Sequence, residues 1–239
     1  MRDLAERYGP WALVTGASSG IGAEFCRQLA DAGLDVVLVA RESARLEGAL
    51  ADVVARGRRG RIVAMDLCGD GAVERLCDAL DVDVGLIVHC AGALSAGPFD
   101  LSPMDEQLAL LDLNARVPLE LTRRMLPRLI ARGRGGVVLL SSFVAYRGGP
   151  QLAGYMASKA WNLSFAESLG PELEPQGVDV LAVCPGFVDT PMIAPFRAGV
   201  ARVASMPLIA PSVVVRSSLR ALGRRWSVIP DRWHVWLHR

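Results

Sequence analysis

Apolar runs alternate with amphipathic segments along most of the chain. The runs are rich in Val, Leu and Ile and do not alternate with polar residues, which is typical of strands buried on both faces of a sheet. Segment 21–32, after the first run, instead spaces Ile21, Phe25, Leu29 and Ala32 at helical intervals. This order predicts an α/β fold in which a mostly parallel, doubly wound sheet carries helices on both faces. The seven predicted strands are residues 11–15, 35–40, 61–65, 84–90, 136–141, 178–184 and 226–229.

Composition and charge fit one globular domain. No linker or repeat interrupts the alternation, so residues 1–239 are predicted to form a single domain. Segment 190–210 is a candidate substrate lid, because it is too long for a simple connection. Lys and Arg total 26 and Asp and Glu total 25, which gives no electrostatic reason to expect nucleic acid. The densest basic stretch, Arg56–Arg61, is interpreted as a solvated loop rather than a phosphate-binding patch.

Cysteine usage and the first residues favour a reduced, cytoplasmic setting. Five cysteines are present, an odd number without a Cys-x-x-Cys pair, which predicts free thiols. The charged N-terminal residues are unlike a signal peptide, and no apolar run reaches the roughly 18 residues of a membrane span. With three histidines, two of them in the last six residues, we expect no metal site.

A glycine-rich turn follows the first predicted strand and precedes a predicted helix. Glycine allows a sharp turn, and a missing Cβ lets the backbone approach a pyrophosphate, towards which the helix N-terminus directs its N–H groups. A purely structural turn would also explain the glycines. The position between strand and helix favours dinucleotide binding. The turn reads Gly16-Ala17-Ser18-Ser19-Gly20-Ile21-Gly22.

Tyr155 and Lys159 are four residues apart in a predicted helix, so their side chains share one face. An ammonium near a phenol lowers the pKa of the phenol from about 10, and a phenol so tuned acts as a general acid towards a carbonyl or as a base towards an alcohol. The alternative is that Tyr155 and Lys159 share a helix face without any catalytic role. Ser142 favours the catalytic interpretation, because it follows the strand at 136–141, where ligands of parallel sheets bind.

These motifs, in this order, make the chain resemble the short-chain dehydrogenase/reductase family, in its compact single-domain branch. The resemblance implies a Rossmann-type sheet and an oxidoreductase that transfers hydride between a nicotinamide cofactor and a small molecule. The matching residues are Thr15 to Gly22, Asp66-Leu67, Ala91-Gly92, Asn114, Ser142, Tyr155, Lys159 and Pro185 to Thr190.

The resemblance also implies a role for each matching residue. Tyr155 would be the acid/base, Lys159 would lower its pKa and bind the nicotinamide ribose, and Ser142 would orient the carbonyl. Asn114 would hold a water that links Lys159 to solvent; a polar residue bonding locally within a helix is the alternative. Asp66 would contact the adenine; a helix N-cap is the alternative. The expected cofactor-binding residues are Gly16, Ser18, Ser19, Gly20, Ile21, Gly22, Arg41, Asp66, Ala91, Gly92, Tyr155, Lys159, Pro185, Gly186, Val188 and Thr190.

The end of the second predicted strand favours NADP(H) over NAD(H). NAD enzymes usually place an acidic residue there for the ribose 2′-hydroxyl, but this chain has Ala40 followed by Arg41. A guanidinium clamps a phosphate in a bidentate way, and Ser18 or Ser19 would add a hydroxyl. The alternative is an exposed arginine at the start of a helix.

Other segments depart from the family pattern or add to it. His89-Cys90 stand where the family usually has two asparagines; we interpret His89 as a buried structural residue and Cys90 as a packing residue. Segments 104–131 and 153–173 are predicted long helices that the family commonly pairs between subunits, which predicts a homodimer or homotetramer. The last segment, 230–239, would pack on the substrate mouth or on a neighbouring subunit.

The sequence therefore predicts an NADP(H)-dependent oxidoreductase that interconverts a ketone or aldehyde with its alcohol. The apolar residues of segment 190–210 favour an apolar substrate, although they would also serve only to pack that segment. One alternative is a non-catalytic dinucleotide sensor, which would not need Ser142, Tyr155 or Lys159. Another is a sugar-nucleotide epimerase or dehydratase, which has a different glycine spacing and a larger C-terminal region.

Overall fold

The computed structural model describes residues 2–194 and 207–230, without the side chains of Arg2, Asp3 and Ser43. Within these residues seven strands form one sheet in the order β3-β2-β1-β4-β5-β6-β7, and every neighbouring pair is parallel. The strands are β1 Trp11–Thr15, β2 Asp35–Ala40, β3 Gly60–Ala64, β4 Val84–His89, β5 Gly135–Leu140, β6 Val178–Val183 and β7 Ser227–Val228. The predicted doubly wound sheet is confirmed, and no predicted strand boundary differs by more than about one residue.

Helices cover both faces of the sheet. They are α1 Arg2–Tyr8, α2 Gly20–Asp31, α3 Ser43–Val54, α4 Ala72–Asp78, α5 Met104–Leu111, α6 Val117–Ala131, α7 Ala153–Leu173 and α8 Pro211–Ala221. Short 3-10 turns add Phe99–Leu101, Phe143–Tyr146 and Glu174–Gln176. The predicted continuous helix 104–131 is observed as α5 and α6 with a π-helical turn, Asp112–Arg116, between them.

Two apolar cores explain why the strands lack polar alternation. Side chains of β1 such as Val14 pack with Phe25 of α2 on one face. The intervening Leu13 packs on the other face, with Leu121 of α6. Because both faces are covered, successive residues of the central strands β1, β4 and β5 are all buried, as the unbroken apolar runs predicted, whereas the edge strands β3 and β7 are only partly buried.

The basic stretch Arg56–Arg61 is a largely exposed loop that leads into β3, as predicted, but two of its arginines also hold a buried carboxylate. Arg58 and Arg59 bind the carboxylate of Asp35, which is fully buried at the start of β2, at 2.8 and 2.7 Å. The pKa of Asp35 is lowered by the hydrogen bonds from the Arg59 backbone and from both guanidiniums, which outweigh the opposite effect of burial. A buried carboxylate requires such partners, and charge counting along the sequence does not reveal it.

The strand order reverses between β1 and β4, where Thr15 is in register with His89. In open parallel sheets the ligand crevice lies at the carboxyl ends of the strands at this reversal. Two predicted segments fall partly outside the described residues: the lid 190–210 over 195–206, with Phe196, Val200, Val203 and Met206, and the last segment 230–239 from residue 231.

Candidate active site

Three glycines shape the turn between β1 and α2, because a side chain does not fit at any of them. Gly16 has a φ of +69°, and a Cβ there would lie 2.7 Å from the backbone nitrogen of Ala91. A Cβ on Gly22 would overlap the carbonyl oxygen of Gly16. Gly20 has a φ of +53°, and its Cβ would meet the Thr190 side chain at 3.0 Å. The missing side chains therefore bring three loops together.

The N-terminus of α2 points into this turn. Ser19 is the N-cap residue, in an extended conformation, and its side chain makes no capping hydrogen bond. Ser18 and Ser19 both line a cleft of about 610 Å³ that lies against the turn. The first N–H groups of a helix and the positive end of its dipole attract anions, so this geometry suits a phosphate group.

Arg41 lines the same cleft directly after β2. Its guanidinium is exposed and forms no ion pair or hydrogen bond with any residue that the structure describes. Arg45, which also lines the cleft, is instead paired with Glu42 at 3.1 Å. Arg41 is therefore the cleft cation that has no protein partner within the described residues.

Asp66 and Thr15 organise the loops beside the turn. Asp66 accepts a hydrogen bond from the backbone nitrogen of Cys68 at 3.0 Å, so it forms a local turn and is not the N-cap of α4, which is Gly71. Thr15 Oγ1 accepts from the backbone nitrogens of Cys90 and Ala91 at 3.2 and 3.1 Å. The sequence motif alone assigns no role to Thr15, although its position at the end of β1, next to Gly16, is a signal for such a role.

Asn114 lies in the π-helical turn and is buried. Its side chain forms a two-way bridge with the backbone of Ala93: Oδ1 accepts from the nitrogen at 2.8 Å, and Nδ2 donates to the oxygen at 2.9 Å. Nδ2 also donates to Ser158 Oγ at 3.0 Å, and the Asn114 carbonyl accepts from Asn162 at 2.8 Å. Asn114 thus connects the loop after β4 with α7. These protein contacts account for the side-chain amide, while the predicted water-holding role stays a prediction.

Ser142 lies just beyond β5, as predicted, and caps the 3-10 turn that follows by accepting from Val144 N at 3.4 Å. The next residue, Phe143, donates its backbone N–H to the carbonyl of Pro185 at 2.9 Å. The loops after β5 and β6 are therefore joined, which positions Ser142. Ser141 donates to the backbone carbonyl of Lys159 at 2.7 Å and so links β5 with α7.

Tyr155 and Lys159 lie on one face of α7, as the spacing predicted. Lys159 is buried, and its ammonium lies 5.7 Å from the centre of the Tyr155 ring. Lys159 Nζ donates to the carbonyl of Leu140 at 2.8 Å, at the end of β5. The structure thus brings Ser142, Tyr155 and Lys159 together at the carboxyl ends of the strands. Asn114 is connected to this group by its hydrogen bond to Ser158 of α7.

The pKa of Tyr155 departs from the expected direction. Burial raises it, and the hydrogen bond with the Ser142 hydroxyl lowers it, without reversing the shift. Burial also lowers the pKa of Lys159 to about 8. The expected lowering of the Tyr155 pKa by Lys159 is therefore not found. The physical reason is that burial disfavours both charged forms, phenolate and ammonium, and the ammonium is directed at the Leu140 carbonyl.

The segment after Pro185 and Gly186 returns to the cleft. Val188 pairs with Ile209 in a parallel bridge, in which Asp189 donates to the Ile209 carbonyl at 3.0 Å. Thr190 Oγ1 donates to the Val188 carbonyl at 3.3 Å, and Thr190 lines the cleft. The two ends of the predicted lid are thus held together at its base.

His89 is buried and its ring Nε2 is 2.9 Å from Thr122 Oγ1, while Nδ1 has no hydrogen-bond partner among the described residues. Burial lowers the pKa of His89 to about 3, so the ring is neutral at physiological pH. Burial likewise raises the pKa of Cys90 to about 12. A neutral ring and a protonated thiol agree with the interpretation of both as structural residues.

The cleft brings together part of the predicted set. It is lined by Gly16, Ser18, Ser19, Gly20, Ile21, Gly22, Arg41, Asp66, Ala91, Gly92 and Thr190. Asn114, Ser142, Tyr155, Lys159, Pro185, Gly186 and Val188 do not line it. Apart from Asn114 in the π-helical turn, the second group lies in α7 or in the segments that follow β5 and β6. It is close to the first group at Gly92, where a Cβ would lie 3.4 Å from Lys159 Nζ.

The sequence of the chain also matches a known protein family. Residues 10–201 match the model of the short chain dehydrogenase family. The chain belongs to the short-chain dehydrogenase/reductase family. Members of this family are oxidoreductases that use NAD or NADP as cofactor.

Individual members of the family resemble the chain over most of its length. It is 34% identical over 222 residues to a very-long-chain 3-oxoacyl-CoA reductase of Aspergillus clavatus, which covers 90% of this chain and 63% of that protein. The chain spans less than two thirds of the length of the first curated relatives that it matches.

Solved structures of the family share the fold. A 7β-hydroxysteroid dehydrogenase superimposes with a TM-score of 0.89 at 28% identity, covering 98% of this chain and 92% of that one. A short-chain dehydrogenase from Sphingobium yanoikuyae, in complex with NADPH, superimposes with a TM-score of 0.85 at 28% identity, covering 95% and 92%.

Two negative findings apply to the described residues. No helix in them is both long and apolar enough to cross a membrane. They also contain no group of three or more His, Cys, Asp or Glu side chains arranged to hold a metal ion.

Proposed function

We propose that the chain is an NADP(H)-dependent reductase of an apolar ketone or aldehyde, interconverting it with the alcohol. The convergence of Ser142, Tyr155 and Lys159 at the carboxyl end of β5 carries this proposal. A non-catalytic dinucleotide sensor has no use for these three side chains in one place. The location of the chain in the cytoplasm stays a prediction; all five cysteines are free in the structure.

The cleft fits a dinucleotide phosphate. Gly16, Gly20 and Gly22 leave a cradle that Cβ atoms would fill, and the N-terminus of α2 points into it. Ala91 and Gly92 form the opposite wall, which Thr15 holds in place. We assign pyrophosphate binding to the N–H groups of this turn and to Ser18 and Ser19.

Arg41 supports a preference for NADP(H). Arg41, directly after β2, is a cation without a protein partner among the described residues, and we assign it to the 2′-phosphate. The last residue of β2 is Ala40, at a position where NAD enzymes usually have an acidic residue. Asp66 lines the same part of the cleft and is proposed to contact the adenine. Ile21, Pro185, Gly186, Val188 and Thr190 are proposed to complete the binding surface. The resemblance to a dehydrogenase solved with NADPH agrees with this assignment.

In the proposed reaction the nicotinamide supplies the hydride, and the chain supplies position and a proton. Ser142 orients the substrate oxygen and Tyr155 donates a proton to it. A phenol with an ordinary pKa near 10 is protonated at neutral pH, and burial, which raises the pKa of Tyr155, leaves it so; the proton to be donated is therefore present before the reaction. Lys159 is proposed to hold the nicotinamide ribose. Asn114 is proposed to hold a water that links Lys159 to solvent, so that the proton donated by Tyr155 is restored.

The substrate class is argued from two observations. The segment 190–210 is rich in apolar residues, of which Met192, Ile193, Leu208 and Ile209 are described. The relative and the structure reported above are named for a very-long-chain acyl thioester and for a steroid. Both carry a carbonyl or hydroxyl group on an apolar acyl chain or ring system, so we propose an acyl or steroid-like substrate rather than a sugar.

The proposed enzyme is a homodimer or homotetramer. Helices α5 and α6 expose Met104, Leu108, Leu111, Leu119 and Ile130, which are large apolar residues facing solvent in the single chain. Burial of such a face in a two-fold contact would remove it from water. Light scattering at micromolar concentration tests this: a monomer mass contradicts it.

Consumption of NADPH with a panel of carbonyl compounds tests the function. The panel contains 3-oxoacyl thioesters of increasing chain length, steroid ketones, aromatic ketones and a polar ketose as control. We expect turnover of at least one apolar class with NADPH, slower turnover with NADH, and none with the ketose. Tight NADPH binding without consumption for any carbonyl would instead indicate the sensor.

A further inference from the structure

A second cleft lies between α1, α2 and α8. It has a volume of about 740 Å³, more than the 610 Å³ of the cleft beside the glycine turn, and the two share no lining residue. Volumes of this size are those of small-molecule sites. The reaction proposed above uses no residue of this second cleft.

Three arginines line the second cleft on one side. Arg216 and Arg220 are four residues apart on α8, and Arg224 lies four residues further on, in the turn that follows. Four residues of helix correspond to a rise of about 6 Å, so the first two guanidiniums follow each other along one face. All three are exposed, and their side chains form no ion pair or hydrogen bond with the described part of the chain.

In and next to α6, by contrast, two arginines form ion pairs with nearby carboxylates. Arg116 is paired with Asp112 and Glu120, each four residues away, and Arg124 is paired with Glu74 and Glu120. Like charges four residues apart destabilise a helix, and opposite charges stabilise it. On α8 the neighbouring arginines lack this compensation within the described residues.

The carboxylates that line the second cleft do not compensate the arginines, because each already has a partner. Glu24 accepts from Arg27 at 2.8 Å and from Gln28 at 2.7 Å. Asp31 is paired with Arg56 at 3.0 Å. The cleft therefore has a surplus of positive charge on the α8 side.

The rest of the lining contains an apolar part beside Arg7, which is paired with Asp179, and the polar Gln28 and Ser212. Leu4 and Tyr8 of α1 and Leu219 and Leu222 of α8 line the cleft, and each is less than a tenth exposed. The Tyr8 hydroxyl donates to Asp179 at 2.6 Å, so its ring, rather than its polar end, is left for a ligand. The cleft thus combines an apolar floor with a row of cations.

We propose that this second cleft binds an anion with two or more phosphate groups on an apolar or planar body. Guanidiniums bind phosphate oxygens in pairs through their planar fork, and successive arginines match a ligand with several phosphates better than one with a single carboxylate. A free phosphorylated metabolite and a phospholipid headgroup share this chemistry.

Titration calorimetry with inorganic tripolyphosphate, on the full chain saturated with NADPH, tests the proposal. We expect a saturable site whose affinity falls about tenfold or more in R216Q/R220Q. The control R123Q/R134Q removes two exposed arginines elsewhere and should change the affinity less than about twofold. R216K/R220K keeps the positive charges but not the planar guanidinium groups, so its affinity for tripolyphosphate should lie between those of R216Q/R220Q and R123Q/R134Q. R41A, at the cofactor cleft, should retain the site.

A vesicle arm distinguishes the two sources. Cosedimentation with vesicles that contain phosphatidylinositol bisphosphate, lost in R216Q/R220Q and competed by tripolyphosphate, would assign a lipid headgroup. Saturable tripolyphosphate binding without cosedimentation would assign a free metabolite. The absence of saturable binding in both arms, or equal loss in R216Q/R220Q and R123Q/R134Q, would overturn the proposal.

Discussion

At the turn between β1 and α2 the shape of the site is set by missing side chains, whereas around Tyr155 it is set by polar side chains. The turn closes because Gly16, Gly20 and Gly22 have no Cβ to collide with Ala91, Thr190 and the turn's own backbone. Around Tyr155, Lys159 donates to Leu140 and Asn114 bridges to Ala93.

This difference teaches how the two regions respond to substitution. An added methyl at the turn acts on shape and therefore on cofactor affinity. A changed polar group around Tyr155 acts on protonation and therefore on turnover, with little effect on the volume of the cleft. Substitutions in the two regions thus separate binding from chemistry, and the predictions below follow this separation.

The largest expected effect is on turnover. Tyr155→Phe removes the proton donor and leaves the ring in place, so we expect kcat to fall by about 10²-fold or more while NADPH affinity stays within about twofold. Steady-state kinetics and fluorescence titration of NADPH measure the two quantities. Turnover close to that of the unchanged chain would contradict the assignment of Tyr155 as the acid.

The next effect is on cofactor choice. Arg41→Ala removes the cleft cation without a partner, and we expect NADPH binding to weaken by about 1.5–3 kcal/mol, the usual contribution of a charge-assisted hydrogen bond. NADH binding should barely change. Arg45→Ala is the matched control, because Arg45 is already paired with Glu42. Equal losses for both cofactors in Arg41→Ala would remove the argument for NADP(H).

A comparison of two glycines tests the role of shape. Gly22→Ala places a Cβ against the Gly16 carbonyl, so we expect a loss of about 1–3 kcal/mol in stability or in cofactor binding. Gly48→Ala, in α3, meets no atom within 4 Å and should stabilise the fold by about 0.5–1 kcal/mol. Urea unfolding and NADPH titration measure both. If the two variants behave alike, the turn does not depend on close backbone approach.

The smallest effect concerns the buried lysine. Burial lowers the pKa of Lys159 from 10.5 to about 8, so between these values the unfolded chain binds a proton that the folded chain does not. The contribution of this group to stability therefore rises with pH in that window. From about pH 8 to about pH 9.5, the unfolding free energy of the unchanged chain minus that of Lys159→Met should rise by about 1–2 kcal/mol.

The difference between the two unfolding free energies at each pH removes the contribution of the cysteine thiols, which titrate in the same range and are present in both proteins. Urea unfolding of both proteins at matched pH values provides the measurement. A difference that stays flat or falls with pH would show that the ammonium is not destabilised by burial.

The sequence predicted the strands and the glycine turn because their requirements are local. An unbroken run of Val, Leu and Ile indicates burial on both faces, and a glycine indicates a backbone that no other residue adopts easily. The spacing of Tyr155 and Lys159 placed them correctly on one face of α7.

What the sequence could not provide depends on distant packing. The π-helical turn at Asn114 interrupts a pattern that reads as one helix, because Asn114 bridges to Ala93, 21 residues away. The raised pKa of Tyr155 follows from burial by several elements, which spacing alone does not report. The buried Asp35 similarly decided the place of Arg58 and Arg59.

Deuterium transfer tests the central claim most directly. NADPH deuterated at both C4 positions of the nicotinamide is incubated with the chain and with the best carbonyl substrate, and the alcohol product is analysed by mass spectrometry and NMR. The account predicts one deuterium at the carbinol carbon, with stereospecific transfer, and almost no labelled product with Tyr155→Phe. Unlabelled alcohol, or NADPH that is bound and never consumed, would contradict it.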